Sequence, residues 1–200
     1  MLKVLVACEY SGRVRDAFTR CGHFAMSCDL LPSESPGLHW QGDVCDVLNM
    51  GWDLMVAHPP CTYLTNSGVT WLHKDLERWE KLYEGAKFFK MLLDAPIPMK
   101  CLENPIPHKY ALEKIGKKYT QIIQPWMFGH TEQKATCLWL VGLPNLVPTN
   151  NVREEMKKLP KNQQQRLHYL PPGPDRWKER STTFLGIAEA MAQQWGNHGA

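Results

Sequence analysis

The sequence predicts an open α/β domain: a mostly parallel sheet covered by helices on both faces, with an antiparallel addition at one edge. Three observations carry this expectation. Short aliphatic and β-branched runs at residues 2–7, 24–29, 53–58 and 99–102 alternate with segments of helical period, and repeated β-α-β alternation requires crossovers between parallel strands. Several runs are apolar throughout, as strands buried on both faces are. Past Tyr119, residues 119–124 and 136–141 read as two strands with no helix between them, which antiparallel pairing accommodates. Two hundred residues that are 44% hydrophobic are enough for one domain with its own core and a small appendage.

The elements follow in order. Residues 2–7 form the first buried strand. After Ser11-Gly12, Val14, Ala17, Phe18 and Cys21 recur at offsets of three, four and seven, the spacing of one helical face. Gly22 then stops that helix as a left-handed cap. The second strand, 24–29, ends in Asp29-Leu30 and the turn Leu31-Pro32-Ser33. A shorter extended piece ends at Gly42-Asp43-Val44, and the run 53–58 is cut off by Pro59-Pro60, since proline cannot donate to a ladder. A loop rich in Thr, Ser, Asn and Gly leads from Cys61 to a long helix over residues 74–94. Its predicted apolar stripe is Leu76, Trp79, Tyr83, Ala86, Phe89, Leu92 and Leu93, a periodicity that core packing explains without a ligand. Ala95-Pro96-Ile97-Pro98 breaks the helix, and the strand at 99–102 delivers Glu103-Asn104. Residues 144–178 are proline-rich, basic and irregular. A closing helix carries Phe184, Leu185, Ala188, Met191, Ala192 and Trp195 on one face.

Composition excludes several classes. No apolar run approaches the roughly 18 residues that span a bilayer, and the opening run is too short for a signal peptide, so a cytoplasmic protein without membrane contact is expected. The seven cysteines (Cys8, Cys21, Cys28, Cys45, Cys61, Cys101 and Cys137) are odd in number and contain no Cys-x-x-Cys pair. They read as reduced thiols, most of them small core residues. His58-x-x-Cys61 and Cys21-x-His23 are possible half-sites for zinc, but neither has a second ligand pair at a suitable spacing, and no metal is expected. The formal charge of +3 is mild. Between positions 153 and 180, however, eight basic residues face four acidic ones. A solvated surface face and contact with nucleic acid explain that excess equally well.

Two motifs carry chemistry. His58-Pro59-Pro60-Cys61 and Leu102-Glu103-Asn104-Pro105 stand at the ends of two predicted buried strands, where an open α/β sheet builds its ligand crevice. A thiol and a carboxylic acid so placed are the minimum equipment for attacking an electron-poor pyrimidine ring.

In its order of features the chain resembles the cytosine C5 methyltransferase family. Cys8-Glu9-Tyr10-Ser11-Gly12 stands where that family has its first glycine-rich loop, usually Phe-x-Gly-x-Gly, although only Gly12 matches. Cys28-Asp29 resembles the acid after the second strand, Gly42-Asp43-Val44 the Gly-Asp pair after the third, Pro60-Cys61 the nucleophile loop, and Glu103-Asn104 the Glu-Asn pair. Gln133-Lys134-Ala135-Thr136 lies near the position of a Gln-x-Arg-x-Arg motif. The likeness covers most of residues 1–142 and again about 180–196. Thr62 follows Cys61 where the family has Gln, and Pro105 follows Asn104 where it has Val. Only about 45 residues separate Lys134 from Arg180, where the family inserts a larger target-recognition domain.

The resemblance implies a Rossmann-like S-adenosylmethionine-dependent methyltransferase fold. It implies a catalytic core at 1–142, a reduced basic segment on the substrate side at 143–179, and a helix at 180–200 that returns to the core. Cys61 would add to pyrimidine C6, Glu103 would act on N3, Asn104 would fix the loop or the base, and Lys134 would hold O2 or a phosphate. For that chemistry the Cys61 thiol wants a lowered pKa and the Glu103 carboxyl a raised one. S-adenosylmethionine would meet Glu9, Tyr10, Ser11 and Gly12 with its methionine end, Asp29 and Leu30 with its ribose, Asp43 and Val44 with its adenine, and Pro60 beside the nucleophile. The bland alternatives are that Asp29 and Asp43 cap turns and that Lys134 is a surface lysine. The implied substrate is cytosine in DNA, read with short or relaxed specificity, as a phage or mobile element would use. A free pyrimidine nucleotide, or a non-catalytic binding role, are the other readings.

Overall fold

A computed structural model describes residues 1–198. Seven strands form one sheet in the order β3-β2-β1-β4-β5-β7-β6. They are β1 (Lys3–Ala7), β2 (Phe24–Asp29), β3 (His39–Gln41), β4 (Leu54–Ala57), β5 (Met99–Pro105), β6 (Gln121–Ile123) and β7 (Thr136–Val141). β1 to β5 run parallel, and β7 pairs antiparallel with both β5 and β6. This is the expected open α/β architecture, a mostly parallel sheet with an antiparallel edge.

The helices are α1 (Arg13–Arg20), α2 (Val69–Leu72), α3 (Glu77–Asp94), α4 (Lys109–Ile115), α5 (Arg153–Lys157), α6 (Lys161–Gln164), α7 (Arg166–Tyr169), α8 (Arg176–Ser181) and α9 (Leu185–Gly196). Side chains alternate across each strand, so the sheet divides two cores. Leu5, Ala7, Met55, Leu102 and Trp139 face α3, with Leu82, Ala86, Phe89 and Leu92. Val4, Val6, Val56, Cys101 and Leu138 face α1 and α9, with Val14, Phe18, Ala188, Met191 and Trp195. Such double cover explains why β1 and β4 are apolar without alternation.

Several details differ from the sequence reading. α3 begins at Glu77, and its buried stripe runs through Leu82 rather than Leu76 and Tyr83, both of which are exposed. Tyr83 instead receives the Lys114 ammonium on its ring face, 4.6 Å from the centroid. Cys21 is exposed as the C-cap of α1, while Gly22 does adopt the left-handed conformation. α4 is an element the sequence reading did not identify, and β5 extends through Glu103 and Asn104. The stretch expected to be irregular contains four short helices, α5 to α8. Leu185 is exposed, its place on the buried face of α9 being taken by Ile187 and Ala190. Among the described residues no helix is long and apolar enough to cross a membrane.

Candidate active site

The order of the first five strands reverses direction at β1 and β4, which follow each other in space but not in sequence. Ligands of open α/β sheets bind at such a switch point, outside the carboxyl ends of the strands. A cavity of about 120 Å³ opens there. Its walls are the loop after β1 (Cys8 to Ser11), the loop after β4 (His58 to Cys61), Glu103 and Pro105 of β5, Lys134, and the turn Arg180 to Thr183.

Register explains the central contact. Val56 pairs with Cys101 and Ala57 with Leu102, so His58 and Glu103 occupy the next rung and share the face of Val56 and Cys101. His58 Nδ1 lies 3.2 Å from Glu103 Oε2, and both side chains are largely buried. The backbone N–H of His58 still bonds Ala7 O at 2.9 Å, after which Pro59-Pro60 ends the ladder and swings Cys61 over the cavity. The Cys61 loop is tied to the exit of β5: Asn66 N–H donates to Ile106 O, His108 N–H to Leu64 O, and His108 Nε2 lies 3.0 Å from Tyr63 O.

The charges at rest run opposite to what the chemistry wants. Burial pushes the Cys61 thiol up and the Glu103 charge adds to this, while Lys134, its own backbone N–H and Arg180 pull it back without reversing the direction. Burial also pushes the Glu103 carboxyl up. Here the His58 hydrogen bond, the Lys134 charge, His58 and Thr136 outweigh it, so its pKa falls below the ordinary value. The expectation of a lowered thiol and a raised acid is therefore corrected on both counts: in the protein alone Cys61 is a neutral thiol and Glu103 a carboxylate.

The other sequence-predicted residues divide by position. Asn104 follows Glu103 on β5 and so faces the opposite side of the sheet. It is almost fully buried, lies outside the cavity lining, and both atoms of its amide lack a partner among the described residues. Contact between Asn104 and a base in this cavity is thereby corrected. Lys134 lines the cavity, with Nζ donating to Arg180 O at 2.7 Å. Glu9, Tyr10, Ser11 and Pro60 line it as well. Glu9, nearly fully buried, accepts from the N–H groups of Val14 (2.8 Å) and Arg15 (3.3 Å) and from Ser11 Oγ (3.1 Å), so its carboxylate holds the N-terminus of α1. Gly12 has φ 74° and sits against Ser35 and Arg15, where a side chain would collide. Cys8 has φ 58°, an uncommon conformation for a non-glycine residue and one that clusters at functional turns.

Asp29 and Asp43 stand beyond the cavity, at the ends of β2 and β3. Both cap turns: Asp29 Oδ1 accepts from Leu31 N–H at 3.0 Å, and Asp43 Oδ1 from Cys45 N–H at 2.9 Å. The Cys45 bonds hold the Asp43 carboxyl below its usual range. Leu30 is 73% exposed beside Asp29, whereas Val44 is buried in the core.

Three features were missed by the sequence reading. His58 appeared only as half of a metal site, although its position one residue past a buried strand, level with Glu103, was a usable signal. Arg15 is 1% exposed and anchors the loop after β2 through Ser27, Ser33, Ser35 and Pro36. The Arg180 to Thr183 turn closes one wall, with Tyr10 Oη 3.0 Å from Ser181 Oγ. Nothing local in the sequence marked the last two. Among the described residues no group of three or more His, Cys, Asp or Glu is arranged to hold a metal ion.

No protein-family model and no curated protein sequence matches the chain. Among solved structures it is similar to a protein described as a candidate DNA modification methyltransferase encoded within a prophage of E. coli, with 14% identity and a TM-score of 0.45. The match covers 80% of this chain and 56% of that one.

Proposed function

We propose that the chain is an S-adenosylmethionine-dependent methyltransferase that acts on C5 of cytosine in DNA through a covalent Cys61 adduct. The observation that carries this reading is the convergence of Cys61 and Glu103 in one cavity at the switch point, with the loop after β1 as its opposite wall. The residues fit the donor: Asp29 uses only Oδ1 in its turn, exposed Leu30 offers an apolar surface beside it, and Glu9 to Gly12 present backbone at the end of β1. S-adenosylmethionine supplies an electrophilic methyl group.

The chain's own residues supply the rest. C5 of a pyrimidine is too weak a nucleophile until sulfur adds at C6. As the Cys61 S–C6 bond forms, the thiol gives up its proton, Glu103 takes it up, and Glu103 passes it to N3, where the displaced C5–C6 π pair places negative charge. C5 then takes the methyl group. Loss of the C5 hydrogen to solvent as a proton restores the double bond and expels the Cys61 sulfur, and the N3 proton returns to the thiol. Lys134 and Arg180 place positive charge beside the developing anion. A base in duplex DNA would have to leave the stack to reach this cavity.

The test is covalent trapping. DNA with 5-fluorocytosine cannot lose its C5 substituent as a cation, so wild-type protein and donor should leave an adduct that mass spectrometry maps to Cys61, and Cys61→Ala should leave none. Methylation by Cys61→Ala would overturn the mechanism. Faster methylation of a free pyrimidine nucleotide than of any DNA would replace the polymer with the monomer.

A further inference from the structure

We propose that His58 relays the Cys61 proton to Glu103: Nε2 takes it up, directly or through one water, and Nδ1 passes its own proton to Glu103 Oε2. The proposal rests on the reading of Cys61 as nucleophile and Glu103 as acid, and it assigns a function to a residue that the reading leaves idle.

Geometry comes first. His58 lines the same cavity as Cys61 and Glu103 and touches Glu103 through Nδ1 at 3.2 Å. An ionised carboxylate can only accept hydrogen bonds, so Nδ1 carries a proton, and the relay uses the tautomer whose Nε2 carries none. That Nε2 is buried and has no partner among the described residues, in a side chain only 9% exposed. Nothing among the described residues completes it, so Cys61 Sγ, three residues away on the same loop, moves toward it or one water bridges the two for the transfer.

The proton count closes. Before attack the thiol holds one proton, His58 holds one on Nδ1, and Glu103 holds none. Afterwards sulfur is bonded to C6, His58 holds its proton on Nε2, and the Nδ1 proton has passed through Glu103 to N3. The imidazole begins and ends this count with one proton, so the transfer adds no net charge to the cavity. The charged and titratable groups around His58 are Cys8, Glu9 and Tyr10 from the loop after β1, Cys61 from its own loop, and Lys134 and Arg180 from the far wall. Lys134 favours negative charge on both Cys61 and Glu103, and Arg180 favours it on Cys61.

The variant His58→Asn separates relay from scaffold, because its carboxamide N–H replaces Nδ1–H as a donor to Glu103 but cannot take up a proton. With the relay gone, only thiol ionised by solvent reacts. The methylation rate of His58→Asn should then fall about 100-fold near neutral pH, a usual general acid–base contribution, and climb about tenfold per pH unit, approaching wild type at high pH. Wild type should be nearly flat over the same range. Alkylation of Cys61 by iodoacetamide needs neither donor nor DNA, and should be about 100-fold slower in His58→Asn near neutral pH, the lower end of what a positioned base contributes. Equal alkylation rates with unchanged pH profiles would overturn the relay while leaving the methyltransferase reading intact. Slower alkylation in a protein whose wild type methylates no pyrimidine would uphold the relay and overturn that reading. Circular dichroism confirms that His58→Asn is folded, and His58→Gln, with its amide at the Nε2 end, serves if it is not.

Discussion

Arg15→Met should free the loop at residues 31–37 and weaken donor binding while leaving the sheet intact. The guanidinium is buried and donates Nη1 to Ser27 Oγ (3.1 Å) and Ser33 Oγ (3.0 Å). Nη2 donates to Ser35 Oγ (2.6 Å), Ser35 O (3.1 Å) and Pro36 O (3.1 Å), and Nε to Asp16 Oδ1 (2.8 Å). Leu31 and Leu38 at the ends of the loop are exposed, so polar bonds rather than a core hold it. Hydrogen bonds to a charged group contribute about 1.5–3 kcal/mol each, but the freed loop carbonyls regain water and the cation's desolvation is relieved. A net loss of about 2–4 kcal/mol follows for so buried a network. If donor binding must then reorder two or three loop residues at about 1–2 kcal/mol apiece, affinity for S-adenosylmethionine drops about 100-fold. Hydrogen exchange read by mass spectrometry should show faster exchange confined to this loop, and calorimetry the loss of affinity. Unchanged exchange would refute the anchoring role. Faster exchange with unchanged affinity would refute the link from this loop to the donor.

Asp29→Ala and Asp43→Ala should each weaken the donor by about 1.5–3 kcal/mol, or about ten- to a hundredfold, in calorimetry on folded protein; unchanged affinity in both would move the donor elsewhere. Because Lys134 pulls the Cys61 thiol down against burial and Glu103, Lys134→Ala should raise its pKa further, leave less thiolate at any given pH, and shift the iodoacetamide profile to higher pH. A profile that stays in place would remove Lys134 from the site's electrostatics. Of the eight basic residues between positions 153 and 180, Lys157, Arg166 and Lys178 are paired with Glu154, with Glu132 and Glu179, and with Glu34. Reversing Lys158 and Lys161 to Glu should therefore carry most of the effect of that segment, lowering duplex methylation and reducing the log–log salt slope by about 0.9 for each phosphate no longer neutralised. A slope near zero in wild type would exclude this surface from a phosphate backbone.

What the sequence made legible follows from the range of each signal. β1, β2 and β4 emerged with nearly their observed bounds because strands covered on both faces need continuous apolar runs. The α3 stripe slipped because Leu76 stands at the N-cap, before the first turn, and the buried position beside Tyr83 is Leu82, one residue round the helix. Cys61 and Glu103 were found because each stands at the end of a legible strand. Their surroundings were not found, because the bonds of Arg15, the Arg180 to Thr183 turn and the His58–Glu103 contact join residues far apart in the chain or depend on register. Asn104 shows the same limit from the other side: the Glu-Asn pair reads as one unit in sequence, yet a strand sends adjacent side chains to opposite faces.

The resting charges are informative because they oppose the proposed reaction. A thiolate and a carboxylate together in so small a cavity would be two like charges, and hydrogen bonds from His58 and Thr136 with the Lys134 charge favour the ionised form of Glu103. The proposed nucleophile is thereby held as a neutral thiol, which reacts poorly with oxidants and stray electrophiles. Moving one proton from Cys61 to Glu103 reverses the assignment without changing the cavity's net charge, so low dielectric does not penalise the step in the way it would penalise creating a new ion. An entering pyrimidine whose N3 draws the proton onward from Glu103 removes the competing negative charge as the sulfur becomes nucleophilic. A ring without an acceptor at N3 would leave Glu103 charged and Cys61 protonated, and so would discriminate against itself at the first chemical step.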